Sequence, residues 1–178
     1  MVIEVMNDIF DGQPNKCIIV QQVNCQGIID SGLAKAIYKR YPQVYEHHRV
    51  EYELGLLELG YASYIEVATD KYIANICGQP YGIENKGYTD YNALFSGLMD
   101  VKTMAKYLNT DVVIPYHLGC SLNRGSWDIV LSMIEEIFKG DIVAYIYHGG
   151  NENYEQKERK CNNTKFVKIN EQESIQDF

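Results

Sequence analysis

Two short stretches gather most of the residues able to hold or cut a small polar ligand. "VNCQGIIDSGL" (23–33) leaves an apolar run at Asn24 and passes Gly27, Ile28, Asp30, Ser31 and Gly32. It enters helical spacing at Leu33. "YHLGCSLNRGSW" (116–127) makes the same kind of passage through His117, Leu118, Gly119, Cys120, Ser121, Leu122 and Asn123. Asn24 carries an amide that both donates and accepts. Asp30 is the one carboxylate inside either stretch. His117 carries an imidazole suited to proton transfer near neutral pH. These three are the catalytic candidates. Each also has a plainer reading: an asparagine satisfying its own loop, a helix cap, and a loop histidine.

The backbone of these stretches has chemistry of its own. A helix N-terminus leaves amides unpaired and carries partial positive charge, so it attracts phosphate without a basic side chain. Two such corners side by side would grip two linked phosphates, with Gly27, Gly32, Gly119 and Gly125 allowing close approach. Strand–loop–helix corners also serve as plain caps. Neither stretch matches GxGxxG or GxxxxGK[ST], which argues against dinucleotide-fingerprint and P-loop readings.

The corners need strands before them and helices after them, and the pattern supplies both. "VIEVM" (2–6) and the β-branched run "CIIVQQVN" (17–24) predict strands, the second buried. Apolar residues at Leu33, Ala34, Ile37 and Tyr38 predict a helix over 31–41, and Pro42 breaks it or opens a second one ending at Gly55. Residues 57–67 and 71–77 predict strands joined near Asp70. Asp90 is the expected N-cap of a helix to about Leu108. A strand over 111–115, a helix over 127–140 and a strand over 141–148 complete the body. The order predicts an α/β chain with a mixed sheet between helix layers. Residues 1–149 read as one domain. Residues 150–178 read as a polar tail or added edge strand, with a weak strand at 164–169.

The chain has 178 residues, 46% hydrophobic and 22% charged. That is enough for a buried core. Its net charge of −8 argues against nucleic-acid binding, which needs clustered cations to displace counterions. Five cysteines without a CxxC pair argue against a disulfide framework or a structural zinc site, and no metal ligand set or cofactor is expected. No apolar run suggests a membrane span or signal peptide, so a cytoplasmic monomer is expected. His47 and His48 are expected on the solvent side of the second helix.

With these residues in view, "VNCQGIIDSGLAKAIYKRYPQVYEHH" resembles the first ligand loop and helix of macro domains, the ADP-ribose-binding modules. "VIPYHLGCSLNRGSWDIVLSMIEEIF" resembles their second, pyrophosphate-holding loop, and "NDIF" stands where macro domains usually have Gly-Asp-Ile or Gly-Asp-Leu. The resemblance spans about residues 2–148. It is nearest the branch holding terminal ADP-ribose protein glycohydrolase, the antitoxin macro domains acting on ADP-ribosylated DNA, and yeast-type ADP-ribose-1″-phosphate phosphatase. It implies a three-layer α/β/α macro-domain fold with a mixed central sheet of about six strands. It also implies that Asp8 accepts from the adenine amino group with the Ile9 amide close by, and that Asn24 sits near the distal ribose. Gly27, Ile28, Ser31, Gly32 and Leu33 would line one side of the ligand. Leu118, Gly119, Cys120, Ser121, Leu122 and Asn123 would wrap the other side, and Tyr147 or His148 would border the adenine. Asp8 also reads as a turn cap, and Tyr147 and His148 as plain strand-end residues.

The departures bear on catalysis. Where the glycohydrolase branch has a nucleophilic lysine this chain has Gln79, and where it has an assisting aspartate this chain has Asn123. Glutamine is a poor nucleophile and asparagine no general base, so lysine-based deglycosylation is not expected. Gln79 and Asn75 are expected near the ribose, as groups that orient it. Three readings stay open: a module that binds ADP-ribose or a related NAD-derived small molecule; a hydrolase of an ADP-ribose derivative such as ADP-ribose-1″-phosphate; and a macro-like fold whose cleft is lost. A bacterial or bacteriophage protein that sequesters an NAD-derived signal is a variant of the first, by analogy alone.

Overall fold

A computed structural model of the chain describes residues 1–28, 32–80, 88–120 and 125–149, and the backbone of 165–167. Within these lie β1 (Val2–Val5), β2 (Cys17–Asn24), α1 (Gly32–Arg40), α2 (Pro42–Glu53), β3 (Ala62–Ala68), β4 (Lys71–Gln79), α3 (Tyr91–Leu108), β5 (Asp111–Pro115), α4 (Trp127–Ile137), β6 (Ala144–Tyr147) and β7 (Lys165–Val167).

The strands form one sheet in the order β3-β4-β2-β5-β6-β1-β7. Among the described strands only the β3–β4 pair is antiparallel. Its turn carries Asp70 in the left-handed region at φ 58°. Aspartate tolerates that conformation better than most residues. The parallel pairs are covered on both faces, which is why their strands read as apolar runs rather than alternating ones. On one face Ile19, Ile73, Val113 and Tyr145 pack with Ile37 of α1 and Val44 of α2. On the other, Ile18, Val20, Ile76, Val112 and Ile114 pack with Leu94, Leu98 and Val101 of α3 and Val130 and Ile134 of α4. This is the expected three-layer α/β/α architecture. Six strands come from residues 2–147, and a seventh, β7, pairs parallel with β1 at the edge.

The helix ends follow the local chemistry. Pro42 opens α2 at a position where its missing amide costs nothing. The Gly55 amide closes the helix on the Tyr52 carbonyl at 3.0 Å. Asp90 caps α3 by accepting from the Ala93 amide at 2.9 Å. Asn109 ends that helix in the left-handed region at φ 50°. The strand expected from 57 begins at Ala62, because Tyr61 donates back to Glu58 in a turn at 3.1 Å. The strand expected from 141 begins at Ala144. The carbonyls of Gly140 and Ile142 turn to the Met1 amino group at 3.3 and 2.9 Å.

His48 differs from its expected place. It is wholly buried, because α2 lays it against the end of β2 rather than outward. Its imidazole lies beside the Asn24 backbone, without a well-formed hydrogen bond at either ring nitrogen. Burial pulls its pKa from 6.5 down to about 4, against the opposing pull of Glu51 and the Asn24 backbone. His47, on the outer side, reaches the Glu51 carboxylate at 3.2 Å. Glu51 is itself buried and accepts from Tyr61 Oη at 2.8 Å and Ser63 Oγ at 2.9 Å.

Candidate functional site

The site begins where two central strands separate. β2 and β5 pair only through residues 17–19 and 111–113. Beyond that, β2 continues with β4 to the Asn24↔Gln79 pair, and β5 continues with β6 to the Pro115↔Tyr147 pair. The chain then leaves β2 for α1 and α2 on one face and leaves β5 for α4 on the other. Adjacent parallel strands whose connections go to opposite faces create a crevice at their carboxyl ends, the usual ligand position in open α/β sheets. The two corners singled out in the sequence are the walls of this crevice.

The first wall is tied by Asn24. Its Nδ2 donates to the Ile28 carbonyl at 2.6 Å, and its Oδ1 accepts from the amides of Gln26 at 2.9 Å and Ile28 at 3.3 Å. Both ends of the buried amide are used within its own loop, so the side chain shapes the wall. Gly27 stands at the bend with φ 66°. A Cβ there would meet Tyr52 at 2.7 Å, so the loop lies directly on α2. Only glycine combines that backbone angle with so close an approach. Ile28 is half-exposed beyond it, and Gly32 and Leu33 open α1. Asp30 and Ser31 lie outside the described residues.

The second wall starts at His117, whose φ of 61° lies in the left-handed region. That conformation is unusual for a residue with a Cβ. Leu118 and Cys120 donate their amides to Pro115 and His117 at 3.1 and 2.8 Å, which winds the loop tightly. The Leu118 side chain is buried in the α3–α4 core, so only its backbone remains for a ligand. Cys120 donates its thiol to the Leu118 carbonyl at 3.2 Å. Burial pushes the Cys120 pKa up to about 11, so it is not poised as a nucleophile. Ser121, Leu122 and Asn123 lie outside the described residues.

Gly119 joins this loop to the floor. Its carbonyl accepts from Thr89 Oγ1 at 2.5 Å and from the Gly125 amide at 3.2 Å. Gln22 Nε2 donates to Thr89 Oγ1 at 3.0 Å and to Gln79 Oε1 at 3.1 Å. Gly119 has φ 70°, and a Cβ there would stand 2.5 Å from Gln22 Oε1. Gln22 and Thr89 were not among the residues singled out in the sequence. The available signal was the polar pair Gln21-Gln22 inside an otherwise apolar strand. Strand alternation sends the two opposite ways: Gln22 to the floor, Gln21 to the α1–α2 side. There Gln21 Nε2 donates to Asn75 Oδ1 at 2.6 Å, so Asn75, expected near the ribose, stands on the opposite side of the sheet from Gln22.

The far end of the crevice is aromatic. Tyr116 lies between two imidazoles, stacked on His117 at 3.9 Å and on His148 at 4.1 Å, with Trp127 edge-on at 4.9 Å. His148 also meets Glu4 at 3.0 Å. Tyr147, expected to border a ligand, is instead a buried packing residue. Its hydroxyl donates to the Gly12 carbonyl at 2.8 Å and so supports the turn at 8–12 from beneath. In that turn Asp8 is exposed with Oδ1 accepting from the Phe10 amide at 2.8 Å, while the Ile9 side chain is buried in the core. Among the described residues no group of three or more His, Cys, Asp or Glu side chains is placed to hold a metal ion, and no helix is long and apolar enough to cross a membrane.

No protein-family model matches the chain, and no curated protein does. Solved structures do. A protein of unknown function from Bacteroides thetaiotaomicron superposes with a TM-score of 0.74 at 23% identity, over 83% of this chain and 98% of its own. The macrodomain of Mycobacterium tuberculosis DarG gives 0.72 at 22% identity, over 83% and 97%. Thermosipho africanus DarTG in complex with ADP-ribose gives 0.66 at 21% identity, over 79% of this chain and 39% of that one. The sheet order, the helix layers and these superpositions agree: the chain has the macrodomain fold.

Proposed function

We propose that residues 1–149 bind ADP-ribose, or a closely related NAD-derived nucleotide, in the crevice between β2 and β5. The observation that carries this reading is the separation of those two strands at a switch point, with a glycine corner on either side. The diphosphate lies between the backbone at Gly27 and Ile28 and the backbone at residues 118–120. Asp8, held by the Phe10 amide, accepts from the adenine amino group. Asn24 acts as the brace of the first loop, and Gln22, Thr89 and Gln79 form the polar floor beneath the ribose. Structural likeness to the ADP-ribose complex of Thermosipho africanus DarTG supports the choice of ligand. Calorimetry with ADP-ribose against AMP and ATP tests it; saturable heat for ADP-ribose alone is expected, and no heat at millimolar ligand would overturn it.

A second reading, hydrolysis of ADP-ribose-1″-phosphate or a similar derivative, is favoured by one feature. His117 is held in a strained backbone conformation at the lip of the second loop, and such strain gathers at functional sites. Phosphate release that vanishes in His117→Ala while ADP-ribose still binds is the expected result; undiminished release removes His117 from the reaction. With Asn24 committed to its loop, acid–base work falls to His117 or Asp30, and the chain lacks the lysine of the glycohydrolase chemistry.

A further inference from the structure

Two lysines near the β3–β4 turn use their charges differently. Lys16, just before β2, pairs with Asp70 at 3.1 Å on the surface. Lys71, the first residue of β4, is half-buried and gives its ammonium to a neutral group, Gln13 Oε1, at 2.7 Å. Gln13 in turn donates through Nε2 to the Ile9 carbonyl. That carbonyl belongs to the same planar peptide as the Phe10 amide, which donates to Asp8 Oδ1 at 2.8 Å. The bonds all run one way, from ammonium through side-chain amide and backbone peptide to carboxylate. Each intervening group accepts at the end facing Lys71 and donates at the end facing Asp8.

We propose that Lys71 and Gln13 are positioning residues that aim the Asp8 carboxylate at the base and so make the site select adenine. The proposal rests on the ADP-ribose reading above. Asp8 is exposed, and an exposed carboxylate turns readily among its rotamers. The relay fixes it from behind: Oδ1 is engaged by Phe10, which leaves Oδ2 for a ligand. Aligned hydrogen bonds polarise one another, so the Lys71 charge at one end strengthens the Phe10–Asp8 bond at the other. A carboxylate accepts and does not donate. Held in this way it takes the exocyclic amine of adenine and repels the carbonyl oxygen that hypoxanthine carries in the same place.

The rest of the turn is held separately. Tyr147 Oη donates to the Gly12 carbonyl, Asn7 Nδ2 to the Asp11 carbonyl at 3.3 Å, and the Asp11 amide to the Asp8 carbonyl at 3.0 Å. None of these bonds involves the Ile9–Phe10 peptide. Loss of the relay therefore leaves the turn in place and frees one peptide and one carboxylate. β4 thereby serves both ends of the ligand. Its last residue, Gln79, lies in the floor beneath the ribose, and its first, Lys71, about 26 Å away along the strand, braces the adenine turn.

The test is calorimetry on the full chain with ADP-ribose and with its hypoxanthine counterpart. The native chain should prefer the adenine form by about tenfold or more, the worth of one hydrogen bond to a charged group. Lys71→Met should weaken ADP-ribose by about that factor and leave the hypoxanthine form nearly unchanged, so that the preference collapses. Lys71→Arg keeps a donor and should restore it. Gln13→Glu keeps a partner for Lys71 but offers Ile9 no donor, and it should match Lys71→Met. Equal losses for both ligands would make Lys71 a purely structural residue and overturn the proposal. So would a native chain without base preference, or a preference that survives Lys71→Met. The relay is read without ligand by amide exchange at Phe10, expected to quicken in Lys71→Met and Gln13→Glu; unchanged exchange overturns it. Quickened exchange in a chain that binds neither nucleotide removes the ADP-ribose reading, and base selection with it, and leaves the relay standing.

Discussion

In the first corner one side chain, Asn24, closes the loop on residues two and four places ahead; in the second, Gly119 is held by Thr89 and, through it, by Gln22. One wall of the crevice is braced by its own neighbours. The other is assembled from three separate parts of the chain. A locally braced loop needs little beyond its own sequence, whereas a loop held from a distance depends on every element that brings its partners together. The first corner should therefore answer to changes in its own residues and in the helix beneath it, and the second to changes far away in sequence.

The largest effect is expected at Gly119. Gly119→Val puts branched carbons into Gln22 and Thr89. It also forces a left-handed backbone, which alone costs about 1–2 kcal/mol. Calorimetry should show ADP-ribose affinity down by about a hundredfold or more, since the loop can no longer sit on its floor. Retained affinity would mean that the second wall is not part of the site.

Acid should loosen the first corner. His48 has its folded pKa depressed from 6.5 to about 4, so the unfolded chain binds the proton first as pH falls. The stability it supports is fully present above pH 6.5 and is lost as pH drops toward 4, about 3 kcal/mol in all. The groups facing it are Glu51 and His47 on α2 and the Asn24 backbone. Urea unfolding across that range should show a steeper loss in the native sequence than in His48→Leu; parallel curves would show that His48 does not couple to folding.

Asn24→Ala removes the loop bonds to Gln26 and Ile28. At about 1 kcal/mol each, the expected loss is about 2–3 kcal/mol in urea unfolding. Asn24→Asp keeps the acceptor and should fall between the two. If Asn24→Asp matched alanine, the donation to Ile28 would be the whole brace.

Thr89→Val should have the smallest effect, about 1 kcal/mol in stability and a few-fold in ADP-ribose affinity. A change in the first loop's amide exchange in this variant would break the contrast between the corners, because it would show the two walls moving as one.

The contrast also explains what was legible in the amino-acid pattern. Apolar runs and helix-end residues such as Asp90 and Pro42 act locally, so the layers and element order could be read directly. The two corners were visible for the same reason. Gln22 and Thr89 were not, because nothing near either of them in sequence says that they meet. Tyr147 and His48 were misplaced for a related cause. A strand-end tyrosine or a helix histidine looks half-polar in sequence, and only packing decides whether it faces solvent. The serious rival reading of Asn24, a structural one, describes its bonds in this structure.

The sheet order sets a timetable for the ribosome. β1 lies between β6 and β7, and its Val2 pairs with Ala144, so most of the body must be made before the pair can form. At a synthesis rate of about 5–20 residues per second, the first strand waits roughly 7–28 seconds for its partner. During that interval both its edges are open, a state that invites wrong pairing. Of the six strands within residues 2–147, β1 is thus the one that waits longest for a neighbour, and chaperone demand should concentrate on that nascent interval rather than on the finished protein.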